Sequence, residues 1–224
     1  MPLIRIQKYL SQQGICSRRK AEEFILKGWV LLNGEVLTEL GVSIDPDHDH
    51  VELTKEANNE INSFIYLLVN KPRGIVTNNP TSSEKEIKSI LPKQYQHLSA
   101  IGRLDKESEG LILFTNDGIF AKKMLDYNNP HRREYLIKVN KPLTDTDLDD
   151  IRDGMFLSDY KLKPCEIDRL SPLKYRICLY EGKNRQIRRM IQKVGSHVVF
   201  LQRLSFSSYH LDMLSGKLFK EISL

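Results

Sequence analysis

Hydrophobic positions change their period along the chain, and the changes mark its elements. In residues 4–28 they recur at helical spacing. Ile6, Tyr9 and Leu10 share one face, and Ala21, Phe24 and Ile25 share another. Gly14 is placed to close the first helix and Gly28 the second, with Ser17 as N-cap of the second. Trp29-Val30-Leu31-Leu32 and Val36-Leu37 then flank Asn33-Gly34, a strong signal for a two-residue hairpin loop. Residues 54–63 carry few apolar groups and almost no period, and are read as a linker. The pattern therefore predicts a small N-terminal domain over 1–53, a linker over 54–63 and a larger domain over 64–224.

Beyond the linker the apolar runs are short. Phe64 to Val69 predicts a buried strand stopped by Asn70-Lys71-Pro72, and residues 78–83 a polar loop. Leu111 to Phe114, Tyr135 to Val139, Tyr175 to Tyr180, Val198 to Leu201, Tyr209 to Met213 and Leu218 to Ile222 read as strands. Helices are predicted from Gly118 to Asp126, after a Thr144 cap as far as Gly154, and from Arg185 to Val194 before Gly195. Strands dominate without alternating strictly with helices. The expected class is α+β with a mixed, largely antiparallel sheet.

Composition narrows the function classes. Hydrophobic residues make up 40% of the 224, enough for a packed core, and charged residues 28%. No apolar run approaches the ~20 residues of a membrane span, and the N-terminus has no signal-peptide core. Cys16, Cys165 and Cys178 are widely spaced and odd in number, which fits a reduced cytosol and no structural zinc site. His97, His197 and His210 do not join acids or cysteines at metal spacings, and no phosphate-binding P-loop is present.

The net charge is only +5 but unevenly placed. Arg5, Lys8, Arg18, Arg19, Lys20 and Lys27 lie in residues 1–28 against Glu22 and Glu23. Lys183, Arg185, Arg188, Arg189, Lys193 and Arg203 lie in 181–203 against Glu181 alone. Two basic clusters far apart in sequence suggest one polyanion touched twice, the alternative being solvated helix faces. Arg18, Arg19 and Lys20 oppose the dipole of the helix they start, which a polyanion partner explains better than stability does. The acidic run over 144–153 sits in the first turns of a helix and reads as a solvated face.

Gly102-Arg103-Leu104-Asp105 precedes the strand Leu111–Phe114, so an Arg and an Asp sit at the mouth of a core element. Alone, that pair would read as a surface salt bridge. The stretch from Gly102 through Gly110 to Thr115-Asn116-Asp117-Gly118 resembles the catalytic motif of the RsuA-type ribosomal RNA pseudouridine synthases. Asn70-Lys71-Pro72-Arg73-Gly74, Glu134 to Val139 and Glu181 to Met190 resemble the family's other motifs, in order, and residues 4–50 resemble an S4 RNA-binding domain. The RluF/RluB branch, acting on large-subunit rRNA, is nearest; the small-subunit branch is the close alternative.

The resemblance implies isomerisation of uridine to pseudouridine in rRNA, with no metal or cofactor. It makes Asp105 the catalytic carboxylate, Arg188 its ion-pair partner and Tyr135 a stacking residue against the base. Lys183 and Arg185 are expected on the RNA backbone. Arg103 would fill the gap left by a flipped base or hold a phosphate. Lys71 would contact RNA or brace the Asp105 loop. Arg5, Lys8, Arg18, Arg19 and Lys20 would serve the S4 module. The partner is expected to be ribosomal RNA or a subunit precursor, and the protein a cytoplasmic monomer. A non-catalytic RNA-binding assembly factor and a base-excising glycosylase are the competing readings.

Overall fold

The apolar spacing of the first 30 residues builds what it predicts. A computed structural model of the chain describes residues 2–157 and 160–223. It opens with β1 (Ile4–Arg5), α1 (Ile6–Gln12), α2 (Arg18–Leu26), β2 (Val30–Leu32), β3 (Glu35–Leu37), β4 (Ser43–Ile44), β5 (Val51–Leu53) and α3 (Lys55–Asn62). Ile6 and Leu10 of α1 meet Ala21, Phe24 and Ile25 of α2 in one buried cluster. The Lys20 amide donates to Ser17 Oγ at 3.3 Å, the expected N-cap. Asn33 and Gly34 both adopt positive φ, 54° and 83°, as a primed hairpin turn requires.

The segment expected as a linker is instead helix α3. Thr54 caps it, Ala57 is fully buried in the cluster and Ile61 packs against the same core. Two apolar residues at i and i+4 make one stripe, enough to dock on a small core but too sparse to register as a period. Glu60 of α3 also pairs with Lys20 and with Lys27, the latter at 3.2 Å.

Residues 1–66 and 115–123 group as one compact unit, and most of the remainder as a second. Within the first, Asn116 Oδ1 accepts from the Ile65 amide and Asp117 Oδ2 from the Tyr66 hydroxyl, each at 2.8 Å. Asp117 Oδ1 also accepts from the amides of Ile119 and Phe120 at 2.8 and 3.1 Å. Asn116 and Asp117, singled out in the catalytic-motif stretch, are therefore a turn and a cap.

The second unit is built on a sheet. Its elements are β6 (Tyr66–Lys71), β7 (Ser99–Ile101), β8 (Glu109–Thr115), α4 (Gly118–Met124, mostly in the first unit), β9 (Arg133–Val139), α5 (Asp145–Arg152), β10 (Phe156–Leu157) and β11 (Tyr160–Lys161). They continue with β12 (Glu166–Ser171), β13 (Lys174–Leu179), α6 (Gln186–Lys193), β14 (Val198–Phe206), β15 (Tyr209–His210) and β16 (Phe219–Ile222). Among the described residues nine strands form one sheet in the order β12-β13-β9-β14-β8-β6-β16, with β15 on β14 and β7 on β8. The β13–β9 and β9–β14 pairs are antiparallel and β14–β8 is parallel, so the sheet is mixed, as expected.

Among the strands that differ from expectation, two have a plain reason. Tyr209 to Met213 is strand only to His210, then a short 3₁₀ turn over Leu211–Leu214. β12 had no apolar period because it is an edge strand with Ile167 alone buried.

Gly110 belongs to a close approach. Its φ is 105°, and a Cβ there would stand 2.3 Å from the Arg203 carbonyl oxygen on β14. Gly110→Ala should therefore push β8 from β14 and either prevent folding or lower the midpoint of urea unfolding by a cost of about 3 kcal/mol or more. Unfolding within 1 kcal/mol of wild type would refute this contact.

Candidate active site

Strand alternation sets the floor of a cleft. Arg133, Tyr135 and Ile137 point to one face of β9. The register places Tyr135 beside Ile177 of β13 and Arg203 of β14, and Arg133 beside Leu179 and Phe206. Over this floor stands the loop between β7 and β8 carrying Asp105, with the start of α6 at the side. The cleft, open to solvent on one side, measures about 280 Å³.

The Asp105 loop is tied from beneath. Thr77 Oγ1 accepts from the Leu104 amide at 3.0 Å and donates to the Leu104 carbonyl at 2.8 Å. Lys71 is fully buried, and its Nζ donates to the carbonyls of Ser108 at 2.7 Å and Pro72 at 3.0 Å. Of the two expectations for Lys71, RNA contact or brace of the Asp105 loop, that placement favours the brace and goes against the contact, because its ammonium has no solvent access. Burial pushes its pKa down to about 8, against the raising effect of Asp105 and nearby glutamates.

Lys71→Met should leave the Ser108 carbonyl without its donor and cost about 1–3 kcal/mol at pH 7 by urea unfolding. The native Lys71 deprotonates near pH 8 and the unfolded one near 10.5. Between these values the unfolded chain holds the extra proton, so Lys71's contribution to stability rises with pH. The gap between wild type and variant should widen from pH 8 to 10.5. A narrowing gap would refute the buried ammonium.

Two arginines meet the Asp105 carboxylate. Arg185 NH1 lies 3.7 Å from Oδ2 and Arg188 Nε 3.9 Å from it. Arg188 is held on both sides: NH1 donates to the Val198 carbonyl, and NH2 to the Glu107 carbonyl and Ser108 Oγ, all at 3.2 Å. Its Nε is buried, makes no hydrogen bond and lies on the Asp105 side. Burial, then the neighbouring Arg185 charge, lower the Arg188 pKa from its ordinary value.

Arg185 departs from the sequence expectation. It precedes α6 in a left-handed conformation, φ 48° and ψ 34°, rather than opening the helix as the predicted bounds had it. Its NH1 pairs with Glu107 Oε2 at 2.9 Å, which holds the Glu107 carboxyl below its usual range. Arg185 thus stands beside Asp105 as well as at the exposed side of the cleft. Arg189 instead donates to the Tyr160 hydroxyl at 2.8 Å.

The remaining sequence candidates divide by exposure. Arg103 is exposed at the cleft rim. Lys183 Nζ stands 5.5 Å over the Tyr127 ring and 5.6 Å over the Tyr160 ring. Arg132, just before β9, pairs with Glu134 at 2.9 Å. In the first unit Arg5, Lys8, Arg18 and Arg19 are exposed. Lys20 is not a free cation: it pairs with Glu60 and, at 2.9 Å, with Glu23, and these raise its pKa against the opposing effect of burial. Its charge is already paired within the unit, unlike those of the exposed Arg18 and Arg19.

Sequence reasoning missed Arg203 as a cleft residue. It is 3% exposed on β14, and its Nε donates to the Leu111 carbonyl at 2.6 Å. The available signal was a charge at an inward-facing position between Leu201 and Phe206. Burial pushes the thiols of Cys16 and Cys178 up to about 11 and that of Cys165 to about 12, so all three are protonated at neutral pH.

Comparison with known proteins agrees with the motifs. Residues 65–193 match the family model for RNA pseudouridylate synthase, and residues 4–49 match the S4 domain. The chain is 37% identical over 211 residues to the dual-specificity RNA pseudouridine synthase RluF of Shigella flexneri, covering 93% of this chain and 72% of that protein. It is 34% identical over 214 residues to the ribosomal large subunit pseudouridine synthase B of Bacillus subtilis strain 168, covering 92% and 87%. A crystal structure of a pseudouridylate synthase shares the fold, with a TM-score of 0.71 at 23% identity over 98% of this chain and 96% of that one. With an S4 domain ahead of the sheet and this cleft, the chain belongs to the RNA pseudouridylate synthase family, on its RsuA-type branch.

Proposed function

We propose that this RNA pseudouridine synthase modifies a uridine of the large-subunit ribosomal RNA, with Asp105 as its catalytic carboxylate. The carrying observation is one carboxylate flanked by two guanidiniums over an aromatic floor. Arg188 and Arg185 supply the counter-charge beside Asp105 and aim it. Tyr135, 8% exposed on that floor, takes the flipped-out base by stacking. Arg103 and Lys183 guide the strand at the rim. The large-subunit assignment is supported by the Bacillus relative's name and its 87% coverage. On this reading the enzyme acts as a cytoplasmic monomer on rRNA or a subunit precursor. No described helix is long and apolar enough to cross a membrane.

The domain division is proposed with α3 moved: an S4 module through about residue 63, then the catalytic domain. Pseudouridine mapping across all RNA of cells with and without the gene tests the substrate. Loss of a site in large-subunit rRNA is expected, and loss only in small-subunit rRNA or elsewhere would refute the assignment.

The S4 cations give a separate result. Arg18→Ala and Arg19→Ala should weaken RNA binding and reduce the log–log salt slope by roughly 0.7–0.9 per lost phosphate contact. Lys20→Ala should leave that slope alone and lower stability instead. Equal slopes for all three variants and wild type would make α2 a solvated face.

A further inference from the structure

The charge around Asp105 is matched by Arg185 and Arg188, yet besides Arg103 at the rim the cleft holds two more guanidiniums on its floor. Arg133 Cζ stands 4.7 Å from the Phe206 ring centroid and Arg203 Cζ 5.3 Å from it. Among the described residues neither makes an ion pair with a carboxylate. Arg133 NH1 reaches only the His131 carbonyl, at 3.2 Å, and Arg203 NH2 is buried with no hydrogen-bond partner. Burial lowers the Arg133 pKa, against the raising effect of Tyr135, and Arg203 adds to the lowering. Two like charges sharing one ring, with no carboxylate within ion-pair distance of either, are unfavourable for folding. Such an arrangement is accounted for when negative charge arrives in the cleft.

We propose that Arg133 and Arg203 form a cationic floor that stabilises the uracil as an anion when its bond to the sugar breaks. The inference rests on the reading that this cleft receives the target uridine. The C1′–N1 bond breaks with its electron pair on the base, leaving a uracil monoanion with charge on N1, O2 and O4. C1′ is compensated by a bond to the Asp105 carboxylate, or by the C2′–H pair as that proton passes to Asp105. The base turns and C5 bonds to C1′, while Asp105 departs or returns its proton to C2′. C5 then loses its proton and N1 gains one, so no other reactant is needed. Half-buried Arg133 contacts a carbonyl oxygen of the base. Arg203, 3% exposed, acts on the charge from beneath. Their place on the sheet floor beside Tyr135, Leu179 and Leu201 suits a flat base better than a phosphate, which stays at the rim.

The test compares Arg133→Gln and Arg203→Gln with wild type on transcripts that the wild type modifies, made with uridine or with 5-fluorouridine. Fluorine makes the departing base more acidic and less dependent on stabilisation. Consumption of the target nucleoside is followed in single turnovers at saturating enzyme. With uridine each variant should be slowed roughly 100-fold. With 5-fluorouridine the loss should shrink about tenfold, and Arg133→Lys should recover much of the uridine rate. Equal losses on both bases would overturn the proposal. So would an unchanged bound-state rate with weaker binding and a shallower salt dependence, which marks a phosphate contact. Should Arg203→Gln fail to fold in a thermal scan, Arg133→Gln decides between these outcomes by itself. The transcript is selected by wild-type turnover, so an error in the ribosomal assignment leaves the comparison intact.

Discussion

Asp105→Asn should abolish pseudouridine formation, by roughly 10⁴-fold or more, while leaving the fold and RNA affinity near wild type. The substitution keeps the shape of the side chain and removes its charge, its basicity and its nucleophilicity together. Asp105 is a third exposed, with its carboxylate at 3.7 and 3.9 Å from two guanidiniums rather than locked in short hydrogen bonds. It is therefore available to a ligand and not needed to hold the loop, which rests on Thr77 and Lys71. Single-turnover isomerisation and equilibrium RNA binding measure the two sides. Turnover by the Asn variant within 100-fold of wild type would refute the assignment, as would unfolding of the variant at temperatures where wild type is native.

Arg188→Ala should be the next most damaging change, and more so than Arg185→Ala. Both guanidiniums stand at nearly the same distance from Asp105, so environment decides between them. The Arg188 side chain is 14% exposed and that of Arg185 is 46% exposed. Water screens Arg185, and Glu107 at 2.9 Å already takes much of its charge. At this separation near a protein surface an ion pair is worth at most about 4 kcal/mol. Removing Arg188 should thus slow the bound-state rate by roughly 10²–10³-fold, because the Glu107 carbonyl and Ser108 hydroxyl lose their donor as well. Arg185→Ala should cost roughly tenfold in the same rate. Equal losses, or a larger loss for Arg185, would place the working counter-charge on the left-handed turn instead of the helix.

Much of the fold was legible because its signals are local. The α1 and α2 faces, the Ser17 cap and the Asn33-Gly34 turn depend on neighbours within four residues, and each formed as read. α3 was not legible, because two apolar residues suffice against a core that the preceding segment had already assembled. β12 was not legible either, because an edge strand draws its stability from backbone pairing with β13 and carries no apolar alternation.

The sequence by itself determined the chemistry on offer. The Gly102–Asp105 turn, the tyrosine strand, the arginine run and their order identified the family, since the reacting groups are short motifs whose residue types cannot be exchanged. It also placed Tyr135 at the head of a strand, but that the strand begins at Arg133, so that the two share a face, came only from the structure. Only the tertiary structure decided which cations are spoken for. Lys20 is neutralised by Glu60, Lys71 is sealed under the Asp105 loop, and Arg185 turns to Glu107. Those partners lie between 37 and 78 residues away in sequence. It also brought Arg203 beside Tyr135 through the β9–β14 register, 68 positions apart. Charge is a property of a residue, but whether that charge is free for a substrate depends on burial and on distant carboxylates, and those exist only once the chain has folded.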